Sequence, residues 1–206
     1  MAEIETHGAG SVERIADRAS MQVSFAQNGK DRASTVSALT ERIGAVEALL
    51  DRDGVQVRDR RLSVNDRWDG KRRSGVVASQ SYTVRITDLA VLNDLVADLV
   101  TVEPTHLNGP HWELTDQDEA QLEAQSAAVA DARSRAEGYA VALGRELGEL
   151  VRITDGASSH GAIALSSRAV SMSASVSVGR PDISELSLEP QLVAVTVMCT
   201  MTWTIA

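Results

Sequence analysis

Cysteine is almost absent: Cys199 stands alone among 206 residues. An intrachain disulfide and any multi-thiolate metal site are therefore excluded. Aromatic residues make up 3% of the chain, too few for a base-stacking nucleic-acid surface, so the core has to be built from Ala, Val, Leu and Ile. Basic residues are outnumbered, 20 Lys and Arg against 29 Asp and Glu, for a net charge of −9. That balance argues against nucleic acid or an anionic membrane as the main partner. No window approaches the roughly 18 apolar residues of a membrane span. The opening residues Met1 to Gly8 have neither a basic nor an apolar leader region, so a cytoplasmic protein is expected. What is present is ordinary for a folded chain: 43% hydrophobic and 24% charged residues, enough apolar material for a core.

Periodicity divides the first half of the chain into alternating elements. Met21, Val23 and Phe25 alternate with polar neighbours, which is strand period. Asp31 follows the turn Asn28-Gly29-Lys30 and is placed to cap a helix from Ala33 to about Asp53, with its stripe at Val36, Ile43, Val46 and Leu50 and Gly54 as the C-terminal cap. Val55 and Val57 lie in one phase and Leu62 and Val64 in the other, which predicts a bulge across Arg58-Asp59-Arg60-Arg61. Asp69 to Gly75 reads as a hairpin loop, and Val76, Ala78, Tyr82, Val84 and Ile86 as the returning strand. Thr87-Asp88 opens a second helix striped by Leu89, Leu92, Val96 and Leu99, and a strand ends at Trp112-Glu113-Leu114. The order strand, helix, strand, strand, helix, strand is the split β-α-β order of ferredoxin-like domains, so an α+β antiparallel sheet is expected.

A long alanine-rich helix follows. Thr115 to Asp118 resembles a capping box, Ala120 to Ala140 supply small residues at close spacing, and Gly144 and Gly148 mark its end. Its start is acidic, with Asp116, Asp118, Glu119 and Glu123, where the helix dipole favours negative charge. Val151 and Ile153 begin a short strand. Residues from 156 to about 183 are rich in serine, and from Val170 to Val178 apolar residues alternate with it. Two readings stay open: a mobile arm, or a strand that orders only on another edge, in a second subunit. Val193 to Ile205 alternate without interruption, a strand long enough to project beyond its own sheet. One domain over residues 1–206 is expected.

Candidates for chemistry are few. His106 and His111, five residues apart, face opposite sides of a regular strand and cannot share a metal. Cys199 sits on the apolar face of the last strand and reads as a small hydrophobe. Asp155, Ser159 and His160 have triad residue types but no nucleophile elbow. Gly8 and Gly10 fit neither a phosphate loop nor a dinucleotide fingerprint and read as a strand bend or bulge. No catalytic, cofactor or metal residue is assigned. The one charge feature above background is basic: Arg58, Arg60, Arg61, Arg67, Lys71, Arg72 and Arg73 crowd one hairpin. It reads either as a solvated hairpin or as an interaction surface that docks on the acidic helix start of a neighbouring copy.

Several segments together resemble the SIMPL-domain (DUF541) family, which includes periplasmic immunogenic proteins of bacteria. They are Gly8-Ala-Gly10 with Ala16-Asp17-Arg18-Ala19, Tyr82 to Leu89, Trp112 to Asp116, Ala132 to Ala136, and the pairs Leu143-Gly144 and Leu147-Gly148. Ala16 stands where the family usually has proline. The resemblance implies an α+β fold and ring-like or channel-like oligomers, and carries no established catalytic residue. The expectation is a non-enzymatic, self-associating assembly or scaffold protein without cofactor. The alternative is a small-molecule binding module on the open sheet face or in a subunit groove.

Overall fold

The computed structural model describes residues 2–156, 159–162, 186 and 188–206. It is an α+β structure whose elements run β1 (Ala2–Ile15), β2 (Arg18–Gly29), α1 (Arg32–Leu50), β3 (Val55–Asp69), β4 (Arg72–Ile86), a 3-10 turn (Leu89–Val91), α2 (Leu92–Thr101), β5 (His106–Glu113), α3 (Gln117–Ala142), β6 (Leu147–Asp155), β7 (Ser159–Ala162) and β8 (Leu192–Ile205). The strands form two antiparallel sheets. The chain divides into two compact units: residues 1–16, 114–166 and 191–206 make the first, residues 17–113 and 167–190 the second.

The second unit holds the sheet β3-β4-β2-β5. Met21, Val23 and Phe25 of β2 and Ala78, Tyr82, Val84 and Ile86 of β4 point to one face and are buried with Leu39 and Val46 of α1 and Leu92, Leu95 and Leu99 of α2. Each large aliphatic side chain buried there contributes about 1.5–3 kcal/mol. Asp31 caps α1 through the Ser34 N–H at 3.0 Å, and Asp88 caps the 3-10 turn through the Ala90 N–H at 3.0 Å. The bulge expected in β3 is present as a register shift between Val57 and Asp59. Two local expectations change. α1 stops at Leu50 with Asp51 as its C-cap, and Gly54 instead shapes the turn into β3 with φ +79. The hairpin loop shrinks to Gly70-Lys71, because Asp69 pairs with Arg72 and the charged flanks continue the ladder.

In the first unit β8 is the central strand. All of Leu192–Ile205 pairs with β1 on one side, while β6 and β7 pair with it on the other. The expected projection beyond the sheet therefore does not occur; a strand this long is accommodated because both of its flanks are paired. Of the serine-rich stretch, Ser159–Ala162 form β7; the alternation from Val170 to Val178 lies outside the described residues.

α3 lies on the face formed by Thr6, Gly8 and Gly10 of β1 and Cys199, Met201 and Trp203 of β8. Its contact stripe is Ala120, Ala124, Ala128, Ala132, Ala136 and Ala140, all buried and all four apart. Such a row is inclined by about 26° to the helix axis. Two strand residues rise about 6.6 Å and four helix residues about 6 Å, so the two repeats keep step. Gly8 accordingly meets Ala128 and Ala132, and Gly10 meets Ala124 and Ala128. A Cβ on Gly8 would overlap the Ala128 carbonyl oxygen, and one on Gly10 that of Ala124. The two glycines are thus not a bend or bulge, since β1 keeps unbroken register across them; they let a helix backbone approach a strand. The helix also starts one residue later than the capping-box pattern Thr115 to Asp118 places it. The N-cap of α3 is Asp116, without a side-chain cap bond, and its carboxylate is taken by Arg14.

Candidate interaction surfaces

Strand alternation divides the seven basic residues of the hairpin. Arg60 pairs opposite the buried Tyr82 and reaches Glu47 of α1 at 2.9 Å. Glu47 also accepts the Tyr82 hydroxyl at 3.0 Å. Burial, and then this carboxylate, push the Tyr82 phenol up to about 12. Arg73 pairs with Asp66 at 3.1 Å, and Arg32 meets the same carboxylate at 3.3 Å. Arg61 and Arg67 belong to the opposite face, where Arg61 stands 3.6 Å from Asp59 and Arg67 donates to Asn28 at 3.2 Å. Arg58, Lys71 and Arg72 make no ion pair among the described residues. The acidic start of α3 is engaged inside its own unit: Arg14 of β1 holds Asp116, and Glu123 at 2.9 Å. The Arg14 guanidinium is raised above its ordinary value by the Glu123 hydrogen bond and then by Asp116.

The four sheet margins differ. β3 carries charges and register shifts along its length. β5 is interrupted by Gly109-Pro110, where the register with β2 shifts. The β1 margin is covered by α3: the Ala9 N–H donates to the Asp131 carboxylate at 3.0 Å and the Thr6 hydroxyl donates to the Ala132 carbonyl at 2.8 Å. The Ala9 bond, with Arg135 next, holds Asp131 below the usual carboxylate range. β6 is different. Among the described residues nothing pairs with its outer side, and Leu150, Val151 and Ile153 are 44%, 52% and 53% exposed. Its three charges are Glu149, Arg152 and the terminal Asp155, with Arg152 3.2 Å from Glu5. Charges, bulges, proline and covering helices are the usual means of blunting an edge; β6 has two register shifts against β8, between Leu147 and Leu150 and between Leu150 and Arg152, but no proline.

The open face of the second sheet forms a groove of about 620 Å³. Across it run two rows set by the pairing, Arg61-Ser81-Ser24-His106 and Asp59-Thr83-Gln22-Asn108. The last member of each row pairs with β2 in regular register, and the β5 bulge falls just beyond Asn108. Gly109, at φ +121 and pressed against the Ser20 carbonyl, absorbs an extra residue, so His106 pairs with Ser24 and His111 with Ser20. Both histidines therefore share the open face, against the expectation from a regular strand. They remain four β2 residues apart, about 13 Å, too far for one metal ion. No sequence pattern announces this shift, because a Gly-Pro pair signals a break without fixing the phase beyond it.

The remaining candidates sit apart. His7 bonds the Thr200 hydroxyl at 2.9 Å on the open face of the first sheet. Cys199 is buried among Ala128, Ala132, Met201 and Trp203. Asp155 ends β6, while the side chains of Ser159 and His160 lie outside the described residues. Among the described residues no group of three or more metal-ligating side chains gathers, and no helix is long and apolar enough to cross a membrane. Compared with known proteins, residues 4–203 match the family SIMPL, described as a protein of unknown function (DUF541). No curated protein matches the chain.

Proposed function

The chain belongs to the SIMPL family, and from that premise we propose that it is a non-enzymatic, self-associating protein, an assembly or scaffold element built by strand addition at β6. The observation that carries this reading is the margin of β6, apolar, solvent-exposed and without an outer partner among the described residues. Such a margin is a template for another strand. A second copy fits it. Antiparallel pairing about a two-fold axis between Leu150 and Val151 sets Glu149 of each copy against Arg152 of the other, and opposite charges across a strand pair are stabilising. The sheet order β3-β4-β2-β5 supports reading the second unit as the ferredoxin-like module.

Light scattering on the eluting protein tests the proposal. The wild type should elute at micromolar concentration with a mass that is a multiple of 22.0 kDa. Val151→Lys with Ile153→Lys should return the monomer with an unchanged circular-dichroism spectrum. A wild type that is strictly monomeric, or a double variant that keeps the wild-type mass, overturns it.

A further inference from the structure

The two open sheet faces are both polar, yet they use their hydrogen-bonding groups in opposite ways. On the first sheet the groups bond one another: His7 with Thr200 at 2.9 Å, Ser11 with Thr196 at 3.2 Å, and Thr202 and Arg152 with Glu5 at 3.4 and 3.2 Å. On the second sheet Gln22, Ser24, Thr83, His106 and Asn108 line one groove, and none of their side chains makes a hydrogen bond among the described residues. Arg61 closes one side of the groove, its side chain 76% exposed and its guanidinium facing only Asp59 at 3.6 Å. Asn108 and His106 enter the groove in regular register with Gln22 and Ser24, and the β5 bulge just beyond Asn108 brings His111 to the same open face, the kind of irregularity that re-aims side chains next to functional sites.

We propose that this groove is a binding site for a small hydroxylated carboxylic acid, of the sugar-acid class. Its volume of about 620 Å³ lies within the roughly 300–1,000 Å³ of small-molecule sites. Tyr82 is buried on the other face, so the groove offers no exposed Phe, Tyr or Trp ring for stacking and recognition falls mainly to hydrogen bonds. The row of hydroxyl and amide groups matches a chain of ligand hydroxyls, each able to donate and accept. Arg61 presents the planar fork that carboxylates take bidentately, which a neutral sugar would leave unpaired. The site lies in the second unit and does not depend on the β6 reading.

Nitrogen-proton NMR titration of the full chain with galacturonate, galactose and acetate tests the assignment. Galacturonate should give saturable shifts confined to β2, β4, β5 and the Arg61 segment. Galactose and acetate should each bind at least about tenfold more weakly, the loss expected for one charge-assisted bond or a hydroxyl row. Arg61→Gln and Asn108→Leu should each weaken galacturonate by about the same factor, while Arg72→Gln at the hairpin tip leaves it unchanged. Unsaturated shifts at millimolar galacturonate, equal binding of galactose or acetate, or an unaffected Arg61→Gln chain overturn the proposal.

Discussion

Tyr82 shows how one buried side chain ties strand to helix. Its ring is 1% exposed in the core and its hydroxyl donates to Glu47, which Arg60 also holds. Both burial and the carboxylate disfavour the phenolate, so the folded value rises to about 12, above the roughly 10 of a free tyrosine. A phenol whose folded value is raised stabilises the fold fully below about pH 10 and loses that contribution as pH climbs towards 12. In a Tyr139→Phe chain, absorbance at the phenolate band follows Tyr82 alone and should show a midpoint near 12. Adding Glu47→Gln removes the carboxylate and should lower the midpoint. The sequence placed Tyr82 in the core by its alternation with Val84 and Ile86, but Glu47 stood off the predicted stripe of α1, and its meeting with Arg60 depends on the bulge that returns Arg60 to the helix side.

At the scale of elements, the match between β1 and α3 is the most demanding fit. Gly8→Ala or Gly10→Ala puts a methyl group into the helix backbone and should cost about 1–3 kcal/mol or more, as overpacking does. Gly138→Ala is the control: it lies in α3 with open space around its Cα and should gain about 0.8–1 kcal/mol from helix propensity. Urea unfolding of the three variants separates a packing requirement from a propensity effect. The alanines of α3 announced close packing through their spacing, and the strands β2, β4 and β8 announced themselves through alternation. The role of Gly8 and Gly10 was not legible, because a glycine that admits a helix and one that bends a strand look alike until the partner is known. The same holds for β6. Val151 and Ile153 predicted a strand, but which strands lack a neighbour is a property of topology, not of local pattern.

For the whole molecule, charge is unevenly shared. Acidic residues outnumber basic ones twelve to five in the first unit, whereas the β3–β4 hairpin of the second is basic. Lys71 and Arg72 at its tip are not committed to an ion pair among the described residues, unlike Arg60 and Arg73. If assembly extends beyond a β6-paired dimer through this hairpin, Lys71→Glu with Arg72→Glu should halt it at the dimer. Raising salt from about 0.05 to 0.5 M should do the same to the wild type, as screening shortens the reach of exposed charges. Sedimentation velocity measures both. The pairing of Ala2 with Ile205 bears on a different matter, the order of events during synthesis. The second unit's sheet and helices are drawn from one continuous run, residues 17–113, and can close as soon as that run has left the ribosome. β1 emerges earlier still but has to wait, because its partner strand is made last and the loop between them encloses nearly everything else. Until β8 arrives, the glycine face of β1 and the alanine face of α3 have no sheet centre to organise them. This interval is when the nascent polypeptide is most exposed to mispairing with its neighbours.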